Sequence, residues 1–537
     1  MFKKHYLSSN FIYTVEIAIA LGFVLLPLFV TFPYKINLYL AWEGAYRISI
    51  GQMPFKDFGM PLGYGFWLIP AMFFKLFGPL MSSLIKAQAF INLLSVLCVH
   101  IIFKTFDIKP ALRTIGVLFF CLSFVFIHFW PWYNHTVFFY ELLALSFLLS
   151  ALVKKGKHYY VKIVAASLFI FLSIFTKQDI GGLAFLLALS LILVDAIFDK
   201  SVKGLLIFGV SFLVISICFI TPLLKYDFAY WFNFGQFPHG TRISVLDLLD
   251  TIFDETSLVF RIYLFAILVY IVYEWQNGNG LLKWNKKELL FLTFTLGIVV
   301  QPLIAQLTTY IPENSHFYYH AFVLVFFLNK VKTIEYAKTQ IFIPALLLIF
   351  ILWPQDYWRY IKRVAASSLN ITQKVDYNYV GKKTWKLPDP SAPSSDRSDW
   401  VKSPLRTLDN VKLPKETIEG MKRLVSKYSN KPNLKVLNMS ELPQLAYEIG
   451  YEPLKGSKQP LWFHRNVAFF EREVEKTCDA IANGEYDLVL FEVIPMLNRF
   501  YPPSVRECLQ ENYNLEDTFL APRIPDDSFI EVYSPKD

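Results

Sequence analysis

The sequence predicts a polytopic α-helical membrane protein that ends in a small α/β domain. Three observations support this prediction. Of the 537 residues, 55% are hydrophobic and 18% are charged, whereas soluble domains average about 45–50% apolar and about 25% charged residues. Apolar runs long enough to cross about 30 Å of hydrocarbon recur along the first two-thirds of the chain. Beyond residue 354 the chain becomes polar, with short strand-like apolar runs.

Eleven apolar segments are predicted as membrane-spanning helices. They cover residues 11–32, 82–103, 112–130, 135–153, 160–177, 180–198, 204–223, 258–275, 288–308, 317–331 and 340–354. The first should remain as a signal anchor, because it is too long for a signal-peptide core and has no small-residue cleavage site. Lys and Arg collect at the N-terminus and in every second connection, as cytoplasmic loops do. The N-terminus is therefore predicted inside and the C-terminus outside, and the high Lys, Phe, Tyr and Asn content favours a bacterial inner membrane.

One further apolar stretch, residues 62–80, interrupts this pattern. Counted as a span, it would invert every later loop and place the Lys clusters outside. We therefore predict an interfacial or re-entrant helix within the first outer loop, residues 33–81. The chain then divides into a transmembrane domain of residues 1–360, a Pro- and Ser-rich linker of residues 361–415, and an outer α/β domain of residues 416–537.

In the C-terminal region, alternating apolar runs and helix-like segments predict an α/β fold. The predicted strands are 434–438, 486–493 and 529–533, and the predicted helices are 416–428 and 466–483. Cys478 and Cys508 could form a disulfide if this region faces an oxidising compartment. The spacing of Cys and His is not of zinc-binding type. The net charge of +9 comes with Lys-rich short loops, which indicate orientation and anionic lipid contact rather than nucleic-acid binding.

The candidate chemical groups lie in the predicted outer loops. The first loop holds Glu43 and Asp57, and the sequence between them predicts an amphipathic helix. Carboxylates in such loops are often simply solvated or cap local turns, but the G-x-x-P-F-x-D-F-x-x-P turn indicates an ordered loop. Lys177 lies in the hairpin FTKQD between two spans, where a charge often merely snorkels to the interface.

Later outer loops add four basic residues. Arg242 lies in the loop of residues 224–257, and Arg261 begins the next span. His316 and His320 are four residues apart, which places them on one face of a helix. Such a pair could bind a metal ion or an anion. The sequence offers no third ligand, and a role at the aqueous interface is equally well supported.

The order of these parts resembles the GT-C class of membrane glycosyltransferases that use polyprenyl-phosphate sugars. That class includes protein O-mannosyltransferases and the aminoarabinose transferase that modifies lipid A. The resemblance covers most of the chain. It is carried by WEGAYRISIGQMPFKDF and PLGYG in the first outer loop, by WPWYN at residues 130–134, by the FTKQD hairpin, and by the outer C-terminal domain.

The resemblance implies that an acidic residue of the first outer loop is the catalytic base. Many members read D-E-G or D-E-A where this chain has Trp42, Glu43 and Gly44. Glu43 is therefore the first candidate for the base, and Asp57 is the second. The candidate ligands of the donor phosphate are Lys177, Arg242, Arg261, His316 and His320. The candidate substrate contacts are Tyr46, Asn134 and Gln178.

The implied chemistry needs few groups. A polyprenyl phosphate leaves as a stable anion, so one carboxylate suffices to take the proton of the acceptor hydroxyl. Cations are needed around the phosphate as its charge develops. Attack from the opposite face inverts the anomeric configuration. The sequence requires no cofactor, although some relatives use a divalent metal ion.

Two other classes of function compete with this interpretation. A transporter or flippase for a lipid-linked glycan would tend to show internal repeats and Gly- or Pro-interrupted spans at matching positions, and neither is found in the sequence. A membrane scaffold that binds an envelope partner would leave the ordered first-loop motif unexplained. The sequence does not indicate which sugar is transferred, or whether the acceptor is a glycan, a lipid or a protein.

Overall fold

A computed structural model gives the architecture of most of the chain. The structure describes residues 6–29, 31–35, 38–124, 129–232, 258–277, 284–308, 318–352, 400–429, 431–456, 459–461, 469–494, 501–523 and 528–536. It also describes a few isolated residues between these ranges.

Helices dominate the chain as far as residue 352, and each of the eleven predicted spans falls on one of them. In chain order the helices are α1 (Ser9–Leu25), α2 (Leu38–Ser49), α3 (Leu68–Phe77), α4 (Met81–Thr105), α5 (Pro110–Phe124), α6 (Tyr133–Lys154), α7 (Tyr159–Ile174), α8 (Gln178–Asp199), α9 (Lys203–Ile220), α10 (Leu258–Gln276), α11 (Lys286–Thr308), α12 (Tyr318–Lys330) and α13 (Thr339–Leu352). Helices α2 and α3 belong to the first outer loop.

Among the described residues, five helical segments are long and apolar enough to cross a bilayer. They are Ser9–Phe29, Met81–Thr105, Tyr133–Lys154, Gln178–Asp199 and Lys203–Leu223. Shorter apolar helices accompany them: Gly65–Phe77, Pro110–Leu122, Tyr159–Ile174, His320–Lys330 and Thr339–Ile351. The chain is thus a multi-pass membrane protein, and the crossing of all eleven helices stays a prediction.

The apolar stretch 62–80 forms one short helical segment, Gly65–Phe77. At about 1.5 Å of rise per residue it extends roughly 20 Å, which is less than the hydrocarbon thickness of about 30 Å. Phe66, Trp67 and Phe74 are buried. These features agree with a helix that belongs to the first outer loop.

The connections predicted to be cytoplasmic meet at one end of the bundle. Lys155 and Lys286 both pair with Asp199, the latter at 2.9 Å, and Lys287 pairs with Asp107. These residues come from four different connections, so the ion pairs place those connections on one side. The N-terminal segment reaches the 331–338 connection through a backbone hydrogen bond from Leu7. Helix α1 starts there and leads to the opposite end of the bundle.

The C-terminal region contains a mixed four-stranded sheet. Its strands are β4 (Val436–Met439), β5 (Leu488–Val493), β6 (Tyr513–Leu520) and β7 (Phe529–Pro535). They lie in the order β4-β5-β7-β6. Strands β4 and β5 are parallel, and the other two pairings are antiparallel. The helices are α14 (Lys415–Tyr428), α15 (Leu445–Ile449), α16 (Phe470–Ala482) and α17 (Pro503–Asn512).

A second, three-stranded sheet joins the first outer loop to the C-terminal region. Strand β1 (Phe32–Pro33) pairs in parallel with β3 (Val411–Leu413), which also pairs with β2 (Val401–Lys402). Residues at the end of the predicted linker are therefore folded. The buried side chains at both ends of β3 explain the difference, since alternate burial favours a strand. Linker residues 361–399 lie outside the described part of the chain.

Cys478 and Cys508 form a disulfide between α16 and α17, with Cα atoms 5.7 Å apart. We expect Cys478→Ser to lower the free energy of unfolding of this region by about 2–4 kcal/mol, because the link restricts the unfolded chain. Thermal unfolding with and without reductant measures this difference. Cys218→Ser on α9, whose thiol is free, is the matched control. A reductant-insensitive wild type would contradict the prediction.

Candidate active site

Glu43 lies within α2, whereas the sequence predicted a helix between Glu43 and Asp57. Helix α2 is pressed closely against the start of the next helical segment. A Cβ atom at Gly44 would lie 2.0 Å from Cε2 of Trp67, so only glycine fits at this position. The indole nitrogen of Trp67 donates to the carbonyl of Leu40 at 3.0 Å. These contacts fix the helix that carries Glu43.

Trp42 occupies the position at which many GT-C members have Asp. Its side chain is fully buried, and its indole nitrogen donates to the carbonyl of Pro79 at 3.1 Å. The ring packs against Phe74 with centroids 5.8 Å apart. Position 42 therefore serves packing between α2 and α3. A carboxylate buried there would need a counter-charge, which leaves Glu43 as the acidic group of this motif.

The carboxylate of Glu43 is held by Arg47, one helical turn further along α2. Its Oε1 atom accepts from Nε at 2.9 Å and from Nη2 at 2.7 Å. The side chain of Glu43 remains 15% exposed, so part of the carboxylate is accessible. Burial raises the pKa of Glu43, and the positive charge and hydrogen bonds of Arg47 partly offset that rise.

Glu43 and Arg47 line a cavity between α2 and the C-terminal region. On the α2 side the third contributor is Tyr39. The C-terminal wall is made by residues of β4 and of the segments that follow it, together with Tyr501. Its polar members are Asn438, Ser440, Tyr451, Gln459 and Tyr501. Helix α2 and the C-terminal region therefore form the cavity together.

A buried ion cluster supports the C-terminal wall of this cavity. Arg523 donates to Glu492 at 2.5 Å and to Glu441 at 2.6 Å. The backbone nitrogen of Glu441 also donates to Glu492 at 2.8 Å. The hydroxyl of Tyr34, which follows β1, donates to the carbonyl oxygen of Glu441. The cluster thus lies where the first outer loop meets the C-terminal region, next to Ser440 of the cavity wall.

Asp57, the second candidate for the base, closes a local turn. Its Oδ2 atom accepts from the backbone nitrogen of Met53 at 2.7 Å, and its own backbone nitrogen donates to the carbonyl of Met53 at 2.9 Å. Its carbonyl accepts from the backbone nitrogen of Gly456 at 2.9 Å. Asp57 is not among the residues that line the Glu43 cavity.

Lys177 lies in the tight connection between α7 and α8. Its Nζ atom is 3.2 Å from Oδ2 of Asp179, and its side chain is 5% exposed. The side-chain amide of Gln178 donates to the carbonyl of Trp231. The hairpin is thus anchored to the segment that follows α9. Lys177 does not line the Glu43 cavity.

The PLGYG segment of the first loop lies between the Lys177 hairpin and the helix that carries Glu43. A Cβ atom at Gly63 would lie 1.5 Å from the carbonyl oxygen of Phe175, two residues before Lys177. A few residues later Trp67 packs on Gly44, next to Glu43. A short stretch of chain therefore contacts the neighbours of both candidate groups. The close approach to Phe175 explains why this motif contains glycine.

The remaining predicted residues that the structure describes are not among those that line the Glu43 cavity. Tyr46 is buried on α2 and packs its ring against Trp42. Asn134 is buried at the start of α6, and among the described residues its side-chain oxygen has no hydrogen-bond partner. Nδ1 of His320 lies 2.9 Å from the hydroxyl of Tyr263 in a buried contact, and Arg261 lies on α10. Arg242 and His316 fall outside the described residues.

The described residues contain no group of three or more His, Cys, Asp or Glu side chains arranged to hold a metal ion. The predicted pairing of the two histidines cannot be placed, because only His320 belongs to the described residues. Whether the protein uses a metal ion stays a prediction.

Sequence reasoning missed most of the cavity wall. Arg47 could have been found, because it stands four residues after Glu43 on a predicted helix. Tyr39 and Tyr501 carried no comparable signal. The C-terminal residues approach α2 from a large distance along the chain; Leu454, whose carbonyl accepts from Arg47, is 407 residues away. No local pattern specifies such a contact.

Neither a protein-family model nor a curated protein sequence matches the chain. Among solved structures, the crystal structure of ArnT from Cupriavidus metallidurans in the apo state is similar, with a TM-score of 0.53. The similarity covers 98% of this chain and 98% of that chain at 10% sequence identity. The chain shares the fold of ArnT. The structure of ArnT from the same organism bound to undecaprenyl phosphate covers the same shares at 10% identity, with a TM-score of 0.49.

ArnT is an aminoarabinose transferase of the GT-C class. The resemblance suggested by the first outer loop, the hairpin and the C-terminal region is therefore confirmed at the level of the fold. At 10% sequence identity, the similarity to ArnT shows the fold alone.

Proposed function

We propose that the protein is an integral membrane glycosyltransferase that moves a sugar from a polyprenyl-phosphate donor to an acceptor hydroxyl at the outer face of the inner membrane. The position of Glu43 carries this proposal. It is a partly buried, Arg47-paired carboxylate on the wall of a cavity. That cavity belongs to the end of the bundle opposite the ion-paired loops, in a chain with the ArnT fold. The disulfide in the C-terminal region supports an oxidising, extracytoplasmic side.

In this proposal Glu43 is the catalytic base. A carboxylate oxygen of Glu43 accepts the proton of the acceptor hydroxyl as the acceptor oxygen bonds to the anomeric carbon of the sugar. The bond from that carbon to the phosphate oxygen breaks on the opposite face, so the configuration inverts. Polyprenyl phosphate leaves as an anion and needs no proton. Arg47 orients the carboxylate, and burial makes it a stronger base than an exposed glutamate.

Lys177 is the proposed cation for the donor phosphate. Its side chain is buried beside Asp179 in the connection between α7 and α8, where a lipid-borne phosphate would arrive from the membrane. Phosphate binding would place a second anion beside this ammonium group as charge develops on the leaving group. The roles of Arg242, Arg261, His316 and His320 toward phosphate, and of Tyr46, Asn134 and Gln178 toward the substrate, remain predictions.

The proposal is tested with the purified full-length protein reconstituted into sealed liposomes. A polyprenyl-phosphate hexose or pentose is supplied with a mixture of envelope glycans and lipids, and acceptor-dependent release of polyprenyl phosphate is measured by mass spectrometry. A glycosyltransferase releases polyprenyl phosphate and forms a new glycosidic bond. A flippase would move the intact donor across the bilayer without breaking it, and that result would overturn the proposal.

The pH dependence of kcat/KM provides an independent prediction. Only the deprotonated form of Glu43 can accept a proton, so the rate should fall as the pH falls through its pKa. Burial places that pKa above the ordinary value of a glutamate, about 4.3. Arg47→Met removes the charge that favours the carboxylate, so the acidic limb should move to higher pH. An acidic limb that stays at the same pH in this variant would contradict the assignment.

A further inference from the structure

The wall of the Glu43 cavity contains a single cationic side chain among the described residues, Arg47. Its guanidinium group already donates hydrogen bonds to neighbouring groups. Besides both bonds to Glu43, it donates to the side chain of Gln52 at 3.0 Å and to the carbonyl of Leu454 at 2.7 Å. An arginine offers five N–H donors, so little capacity remains for an anionic ligand.

By contrast, two tyrosine hydroxyls on the same wall remain available for hydrogen bonding. Tyr39 comes from α2 and Tyr501 from the C-terminal region. Both side chains are buried, at 5% and 9% exposure, yet within the described part of the chain neither hydroxyl makes a hydrogen bond. Tyr451, on the same wall, differs because its hydroxyl accepts from Asn438 at 3.1 Å. Neither hydroxyl oxygen is among the fully buried polar atoms that lack a partner, so both face accessible space and can bond to a ligand.

The electrostatic surroundings of these hydroxyls are acidic. The carboxylates of both Glu43 and Glu441 act on both hydroxyls. Burial, with the neighbouring carboxylates, raises the pKa of Tyr39 and Tyr501 well above the usual range. Both groups therefore stay protonated and can donate as well as accept. Three carboxylates, with Glu492, face two guanidinium groups here.

The lining of the cavity matches a small polar molecule. Aromatic rings contribute flat apolar walls, with Tyr39, Tyr451, Phe463 and Tyr501 among them. Apolar faces combined with a few hydroxyl donors and acceptors suit a sugar ring, which has apolar C–H faces and hydroxyl groups at its edge.

We propose that this cavity is the acceptor site and that it binds a neutral, unphosphorylated sugar residue through Tyr39 and Tyr501. The inference rests on the proposed function for the role of Glu43 as base. One hydroxyl of the bound sugar faces Glu43, and other hydroxyls bond to the two tyrosines. A phosphorylated acceptor is disfavoured, because the carboxylate of Glu43 lines the cavity and Arg47 is already engaged.

Binding is measured without turnover on the full-length protein in nanodiscs. The probes are methyl α-mannoside, methyl β-glucoside and their 6-phosphates, followed by saturation-transfer NMR. We expect at least one neutral glycoside to bind, and its 6-phosphate to bind more weakly. The double variant Tyr39→Phe/Tyr501→Phe keeps both rings and should weaken glycoside binding by about 10- to 30-fold, since two hydrogen bonds are lost. Tyr447→Phe, on the exposed side of α15, is the matched control.

Four results would overturn the inference: tighter binding of a 6-phosphate, unchanged binding by the double variant, no binding of either glycoside, or displacement of the glycoside by a Ser/Thr-containing peptide. The release assay separates this inference from the proposed function. Glycoside binding without any release of polyprenyl phosphate would refute the function and retain the sugar site. Release that requires a phosphorylated or peptide acceptor would retain the function and refute the site.

Discussion

Glu43→Gln should reduce acceptor-dependent release of polyprenyl phosphate by about 10²- to 10⁴-fold, the usual contribution of a general base. The glutamine keeps the shape of the side chain and can still accept a hydrogen bond from Arg47 through its amide oxygen. It cannot accept a proton from the acceptor hydroxyl. The loss should therefore appear in kcat, with little change in the affinity for donor or acceptor.

Asp57→Asn discriminates between the two candidate carboxylates. An asparagine oxygen can still accept the hydrogen bond that Asp57 takes from the Met53 backbone nitrogen, so the turn should persist and turnover should remain within a few-fold of the wild type. Glu419→Gln on the exposed face of α14 is the neutral control. If Asp57→Asn abolishes release while Glu43→Gln retains it, the base is Asp57.

The helical part of the fold could be predicted because its signal is local. An apolar run needs only its own length and composition to indicate a helix in a membrane. The alternation of Lys-rich connections could also be recognised in the sequence. The ion pairs of Lys155, Lys286 and Lys287 at one end of the bundle agree with it. The short segment Gly65–Phe77 was recognised because a span there would have broken that alternation.

The C-terminal region was only partly predictable. Strands β4, β5 and β7 are apolar runs and were found, whereas β6 was missed. Its sequence YNLEDTFL is largely exposed, since it is an edge strand of the sheet. Only Tyr513 and Phe519 supply buried apolar groups there, so the segment lacks the alternation that identifies a half-buried strand.

The cavity wall could not be predicted from the sequence, because it depends on contacts between distant segments. Glu43 was found from a motif, but its surroundings come from residues such as Ser440 and Tyr501. The pairing of β1 with β3 and the hydrogen bond from Tyr34 to Glu441 bring these residues over α2. The C-terminal region, predicted from the sequence as an outer α/β domain, therefore forms part of the candidate site.

The C-terminal wall rests on the buried cluster in which Arg523 joins Glu441 to Glu492. Arg523→Met should destabilise the C-terminal region by about 3–5 kcal/mol, the usual cost of removing one partner from a buried ion cluster. Glu441 and Glu492 would remain buried at 3% and 0% side-chain exposure without a cation between them. Local unfolding is measured as the denaturant concentration at which the Cys478–Cys508 disulfide becomes reducible.

The triple variant Arg523→Met/Glu441→Gln/Glu492→Gln tests the cause of the loss. It removes all three charges, so much of the lost stability should return if uncompensated charge is responsible. Release of polyprenyl phosphate should fall in the single variant even where the transmembrane helices stay folded, because Ser440 and Tyr501 would no longer cover Glu43. A single variant with wild-type disulfide protection and wild-type release would show that the cluster does not hold the wall in place. Loss of protection with full release would instead mean that the C-terminal wall is dispensable for the chemistry at Glu43.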